Sequence, residues 1–141
     1  MLKFPHEYQM ETKDCGPACI KIITKYYGKE FDLNYLYSIC GLTNEGVSFF
    51  DICYVCEKIG FRALSFKFSW KELLEVKPLP CIVHWNRSHF VVAYKITDKH
   101  IFVSDPASGL LKYTTNDFKK GWLGSEIRWA VLIIEPIDQL K

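Results

Sequence analysis

Long apolar runs are missing from this sequence of 141 residues. The longest aliphatic stretch, AVLII at 130–134, suits a strand and falls far short of the roughly 18 residues of a membrane span. An excess of one charge is missing too. Lys+Arg total 18 and Asp+Glu 16, a net of +2 with no basic cluster, which excludes nucleic acid as an electrostatic partner. The opening stretch MLKFPHEYQMETKDC lacks the apolar core of a signal peptide, so the chain is expected to be soluble and not secreted behind a cleaved signal. Repeats, low-complexity tracts and linkers are absent, and the length suits one domain over 1–141. With 49% hydrophobic and 16% aromatic residues, disorder is excluded.

What is present is cysteine. The six (Cys15, Cys19, Cys40, Cys53, Cys56 and Cys81) are too sparse for a disulfide scaffold, and a domain of this size needs no staples. They divide among core fillers, metal ligands and a nucleophile.

The first half has helical spacing and the second half has strand spacing. Apolar side chains at Ala18, Cys19, Ile22, Ile23 and Tyr26 mark one face of a helix that starts at Cys15 and stops at Gly28. A second helix is predicted over 33–40, capped by Asp32. A third runs over 49–59, with Ser48 and Asp51 as a capping box and Gly60 as its end. Alternation then predicts a strand at 61–68, and Ser69 with Glu72 caps a short helix that ends before Pro78 and Pro80. Strands at 81–85 and 89–95 form a hairpin around Asn86-Arg87-Ser88. Further strands are expected at 100–104, 110–114 and 127–135, with a small helix at 116–120. Helices first and strands afterwards predict an α+β domain with N-terminal helices packed on an antiparallel sheet.

Cys15 sits where the first helix begins, with Asp14 able to cap it and Pro17 tolerated in the first turn. Free backbone N–H groups and the helix dipole favour a thiolate at such a place. The alternative is a helix start with a buried cysteine. A thiolate needs a base, and the base an orienting partner. Of the four histidines, His6 and His100 read as exposed bystanders, while His84 and His89 flank the hairpin turn. His89 opens a strand, and sixteen residues later Asp105 ends another, where an aspartate before proline is otherwise a simple turn residue. Cysteine at a helix start, histidine at one strand end and aspartate at the next is the layout of a papain-type nucleophile, base and orienter. Gln9, six residues before Cys15, can donate an amide hydrogen bond to an oxyanion; taken alone it is an exposed loop amide.

Gln9, Asp14-Cys15-Gly16-Pro17-Ala18-Cys19, His84-Trp85, His89-Phe90-Val91-Val92 and Asp105-Pro106, taken together, resemble the double-glycine leader peptidases. These are the bacteriocin-processing cysteine peptidase domains of peptidase-containing ABC transporters. The resemblance runs from about Gln9 to Pro136. It implies a papain-like fold and cleavage after a Gly-Gly pair that ends a leader peptide. It implies Cys15 as nucleophile, His89 as general base, Asp105 as orienting residue and Gln9 as oxyanion-hole donor. Ser88 departs from the asparagine that relatives often carry before the histidine. The implied partners are a leader peptide and the transmembrane and nucleotide-binding domains of a transporter, at the cytoplasmic face of the bacterial inner membrane. No cofactor is expected. The sequence has no GxxxxGK[ST] motif, so ATP would bind only to a fused domain.

Three other readings compete. Cys53, Cys56, Cys81 and His84 form two half-motifs for zinc. However, Cys53 and Cys56 lie on the third helix, and Cys81 and His84, three apart on a strand, point to opposite faces. A thiol-redox role for Cys53 and Cys56 calls for a strand-to-helix turn, not mid-helix. A non-cleaving module that only docks a leader would not need both Cys15 and His89. Trp85 divides between cleft and core, and Cys19 and Cys40 read as core residues.

Overall fold

The computed structural model describes residues 4–8, 15–40, 47–86 and 88–137. Three helices come first: α1 (Cys15–Tyr26), α2 (Leu33–Cys40) and α3 (Phe49–Lys58). They are followed by β1 (Phe61–Ser69), α4 (Trp70–Leu74), β2 (Cys81–Trp85), β3 (His89–Ile96), β4 (His100–Asp105), β5 (Gly109–Thr114), α5 (Thr115–Trp122) and β6 (Arg128–Pro136). The expected α+β order is observed throughout, with boundaries within a residue or two.

Local chemistry sets several of these boundaries. Ser48 accepts from the Asp51 N–H while the Asp51 carboxylate accepts from the Ser48 N–H, closing the capping box of α3. Ser69 and Glu72 do the same for α4. Gly60, at φ 92°, takes the left-handed conformation that ends α3 and turns the chain into β1. Pro17 sits in the first turn of α1, where its missing N–H costs nothing. Asp14 lies outside the described residues.

The six strands form one antiparallel sheet in the order β1-β6-β2-β3-β4-β5. Alternate residues feed two cores. On one face Ile82, Phe90, Val92, Leu132 and Ile134 pack with Cys19, Ile22 and Ile23 of α1 and Ile52, Val55 and Cys56 of α3. On the other, Val83, Val91, Val103 and Val131 pack with Leu73 of α4 and Phe118 and Trp122 of α5. Each large aliphatic side chain buried this way contributes about 1.5–3 kcal/mol.

The β2–β3 hairpin is anchored by α5. The Asn86 N–H donates to the Gly121 carbonyl at 2.8 Å. The Trp85 ring lies so close over Gly121 that a Cβ there would stand 2.1 Å from it. Trp85 is the register partner of His89 and belongs to the core. Gly121→Ala must therefore displace Trp85, an overpacking of about 1–3 kcal/mol or more. Thermal unfolding should show a clear loss, larger than for Gly16→Ala, whose added Cβ would meet Val47 at 3.2 Å.

Candidate active site

β3 begins at His89 and β4, its antiparallel neighbour, ends at Asp105, so both residues stand at the same end of the sheet. His89 Nε2 and Asp105 Oδ1 are 2.6 Å apart. Asp105 Oδ1 also accepts the Ala107 N–H at 2.8 Å. The turn after β4 thus fixes the carboxylate that fixes the imidazole. With Nε2 engaged, Nδ1 is the nitrogen left for another partner, and Cys15 is the group besides Asp105 that interacts with the ring.

Cys15 is the first residue of α1 and is 5% exposed, as is Asp105. The helix is held against β3 one turn further on, where the Cys19 thiol donates to the Phe90 carbonyl at 3.3 Å. Gly16 lets the first turn approach Val47. Cys15, His89 and Asp105, separated by up to 90 residues, form one row, in which His89 is hydrogen-bonded to Asp105 and interacts electrostatically with Cys15.

The electrostatics follow from this row. Burial opposes a charge on His89, but the hydrogen bonds to Asp105 and Cys15 outweigh it and raise its pKa to about 9. Burial likewise disfavours the Asp105 anion. The hydrogen bonds from His89 and Ala107 prevail and hold its carboxyl below the usual value. The other thiols are suppressed. Burial pushes Cys40 and Cys81 up to about 12, and raises Cys19, Cys53 and Cys56 as well.

Gln9 lies outside the described residues. His84, paired with Phe90, stacks on that ring at 5.0 Å and on Trp129 at 6.1 Å, apart from the row. Cys56 and Cys81 belong to cores on opposite faces of the sheet, so the two half-motifs for zinc do not converge. Cys53 and Cys56 sit within α3, away from any strand-to-helix turn.

The expectation for His6 is corrected. It is half-buried, and its Nδ1 stands 2.6 Å from Ser104 Oγ, on the residue before Asp105. Ninety-eight residues separate the two, and no local pattern announces such a contact. His6 belongs to an arm, residues 4–8, that meets β3, β4 and β5 in turn. Phe4 stacks on Tyr94 at 4.0 Å, Glu7 pairs with Lys21 and Lys25, and Tyr8 lies over Gly109.

The model of the peptidase C39 family matches residues 3–130. Among curated proteins, the chain is 40% identical over 124 residues to the lactococcin-G-processing and transport ATP-binding protein LagD of Lactococcus lactis subsp. lactis. It is 34% identical over 140 residues to the colicin V secretion/processing ATP-binding protein CvaB of Escherichia coli. These matches cover 83% and 92% of the chain but only 17% and 20% of the relatives, so the chain spans about a fifth of their length. Among solved structures, a double glycine motif protease from an AMS/PCAT transporter, crystallised with its leader peptide, superposes with a TM-score of 0.87 at 29% identity, over 95% of this chain and 92% of that one. The peptidase domain of Streptococcus ComA matches in fold, with a TM-score of 0.84 at 23% identity, over 95% of this chain and 99% of that one. No helix among the described residues is long and apolar enough to cross a membrane.

Two outcomes follow from this geometry. In an NMR titration, His89 should stay protonated through neutral pH and lose its proton near pH 9, and Asp105→Asn should lower that value. Because the folded pKa is raised above 6.5, the stability it confers is full below about pH 6.5 and fades as pH rises through about 9. Limited iodoacetamide treatment at mildly acidic pH should label Cys15 before the five suppressed thiols, as read by peptide mapping.

Proposed function

The chain belongs to the peptidase C39 family, and from that premise we propose that it cuts a leader peptide after a Gly-Gly pair with Cys15, His89 and Asp105 as its catalytic residues. The observation that carries this reading is the position of His89, hydrogen-bonded to a buried aspartate and interacting with a cysteine at a helix start.

In this reading the Cys15 proton resides on His89, which the site keeps protonated through neutral pH, and the thiolate attacks the carbonyl of the second glycine. The imidazolium formed is stabilised by Asp105, which also fixes the ring's orientation. The Cys15 backbone N–H, at the free end of α1, and the Gln9 amide stabilise the tetrahedral oxyanion, each donor supplying about 3–4 kcal/mol. His89 then protonates the leaving amine, and water releases the acyl-enzyme. Gln9 takes its role from the resemblance to the double-glycine leader peptidases.

The near-complete burial of Cys15 supports the glycine requirement. A glycine has no Cβ, so its backbone can enter a narrow cleft and bring its carbonyl onto a recessed thiol. Misplacement by even about 1 Å can cost roughly a hundredfold in rate. Upstream apolar residues of the leader, at helical spacing, supply affinity from a hydrophobic groove. The names of the relatives, which describe processing together with transport, support a place at the cytoplasmic face of a bacterial membrane, beside the membrane and nucleotide-binding domains of an ABC transporter.

Cys15→Ala and His89→Ala should each abolish cleavage of a Gly-Gly leader peptide, measured by mass spectrometry, while circular dichroism shows the fold intact. Replacing the last glycine with valine should remove cleavage and leave leader binding mostly unchanged in a competition assay. Normal cutting by Cys15→Ala would sink the mechanism. Leader binding without cutting by the unaltered chain would show a docking module instead.

A further inference from the structure

His6 has no part in the mechanism above, yet it is tied to the residue next to Asp105. The Ser104 hydroxyl donates its one proton to the Pro5 carbonyl at 3.2 Å, so its oxygen accepts from His6 Nδ1, and the proton of the neutral ring lies there. That leaves His6 Nε2 bare. It is buried and has no hydrogen-bond partner among the described residues. Burial keeps the ring's pKa below its ordinary value, against the pull of Asp105 and Glu7.

A bare buried nitrogen is unfavourable. Phenylalanine would fill the same space and keep the edge contact with Tyr8, whose ring centroid lies 4.5 Å away, without that cost. What a phenylalanine lacks is the N–H given to Ser104. Ser104 is fully buried and pairs with Val92 and Leu110, so the bond grips the end of β4 from outside the ladder. Tyr8 lies over Gly109, the register partner of Asp105, so the same arm also contacts the strand paired with that end of β4.

We propose that His6 is a positioning residue, which through its hydrogen bond to Ser104 holds the end of β4 where the Asp105 carboxylate meets His89. The proposal rests on the assignment of His89 and Asp105 made above. It concerns a residue outside the group formed by Cys15, His89 and Asp105, tied to it through Ser104.

The test compares His6→Phe with His6→Asn, whose amide nitrogen can stand where Nδ1 stood. His6→Phe should lower kcat on a Gly-Gly leader peptide by roughly tenfold, with KM within about twofold. It should also move the His89 titration, followed by NMR, downward from about 9. His6→Asn should keep most of both. If His6→Phe fails to fold, Ser104→Ala, which removes the acceptor with little change of volume, carries the same expectation. An asparagine variant no better than the phenylalanine variant, or a His89 titration unmoved by loss of the hydrogen bond, would overturn the proposal. Failure of the unaltered chain to cut any leader would instead refute the peptidase assignment, and the titration would still decide the role of His6.

Discussion

The contact between His89 and Asp105 is the constraint on which the site depends. It joins the start of one strand to the end of its antiparallel neighbour, so it forms only when β3 and β4 are in register. A slip of one residue would turn both side chains to the other face. The rest of the structure reads as support for that register. α5 clamps the hairpin turn before His89 through Asn86 and Trp85, and the Ala107 N–H holds the carboxylate from the turn after Asp105. The Cys19 thiol brings α1 to the Phe90 carbonyl, one residue beyond His89.

Burial gives that contact its strength. Charges of opposite sign attract weakly in water and far more strongly where water is excluded, provided each is paired. Asp105 is nearly sealed and keeps its charge because two donors share its oxygen. His89 gains a proton readily for the same reason. The recess that sets these charges also narrows access to Cys15, so the burial that shapes the row restricts what can reach its thiol. In the proposed reaction, a requirement for glycine at the cut and strong polarisation of the row would be two results of one burial.

The parts of this fold that were legible in the sequence are those with local causes. The capping boxes at Ser48 and Ser69, the apolar spacing of α1 and the alternation in β1 each act within a few residues, and each is found as expected. Cys15, His89 and Asp105 stood out because element ends are recognisable in the sequence, and the structure brings the three together. His6 was not, since its value comes from a partner 98 residues away and its own neighbourhood carries no motif. Trp85 stayed divided between cleft and core for a similar reason. What decides it is the missing side chain at Gly121, on a helix whose docking the sequence pattern does not encode.

Strand order adds a last consequence. β6, last of the strands in sequence, lies in the sheet between β1 and β2, where it pairs with both. Until it is in place, β1 has no partner strand, and β2 has an open edge on the side away from β3. Val131 and Leu132 of this strand enter both cores, so neither layer of helices has its full bed before β6 arrives. Such non-local pairing forms late, because loop closure costs entropy before contacts repay it. The β2–β3 hairpin that presents His89 is local and can form early, but its support from α5 and from the neighbouring strand depends on this final insertion. A row assembled from α1, β3 and β4 is therefore held to its geometry only once almost the whole chain has folded, which links any thiol chemistry at Cys15 to completion of the domain.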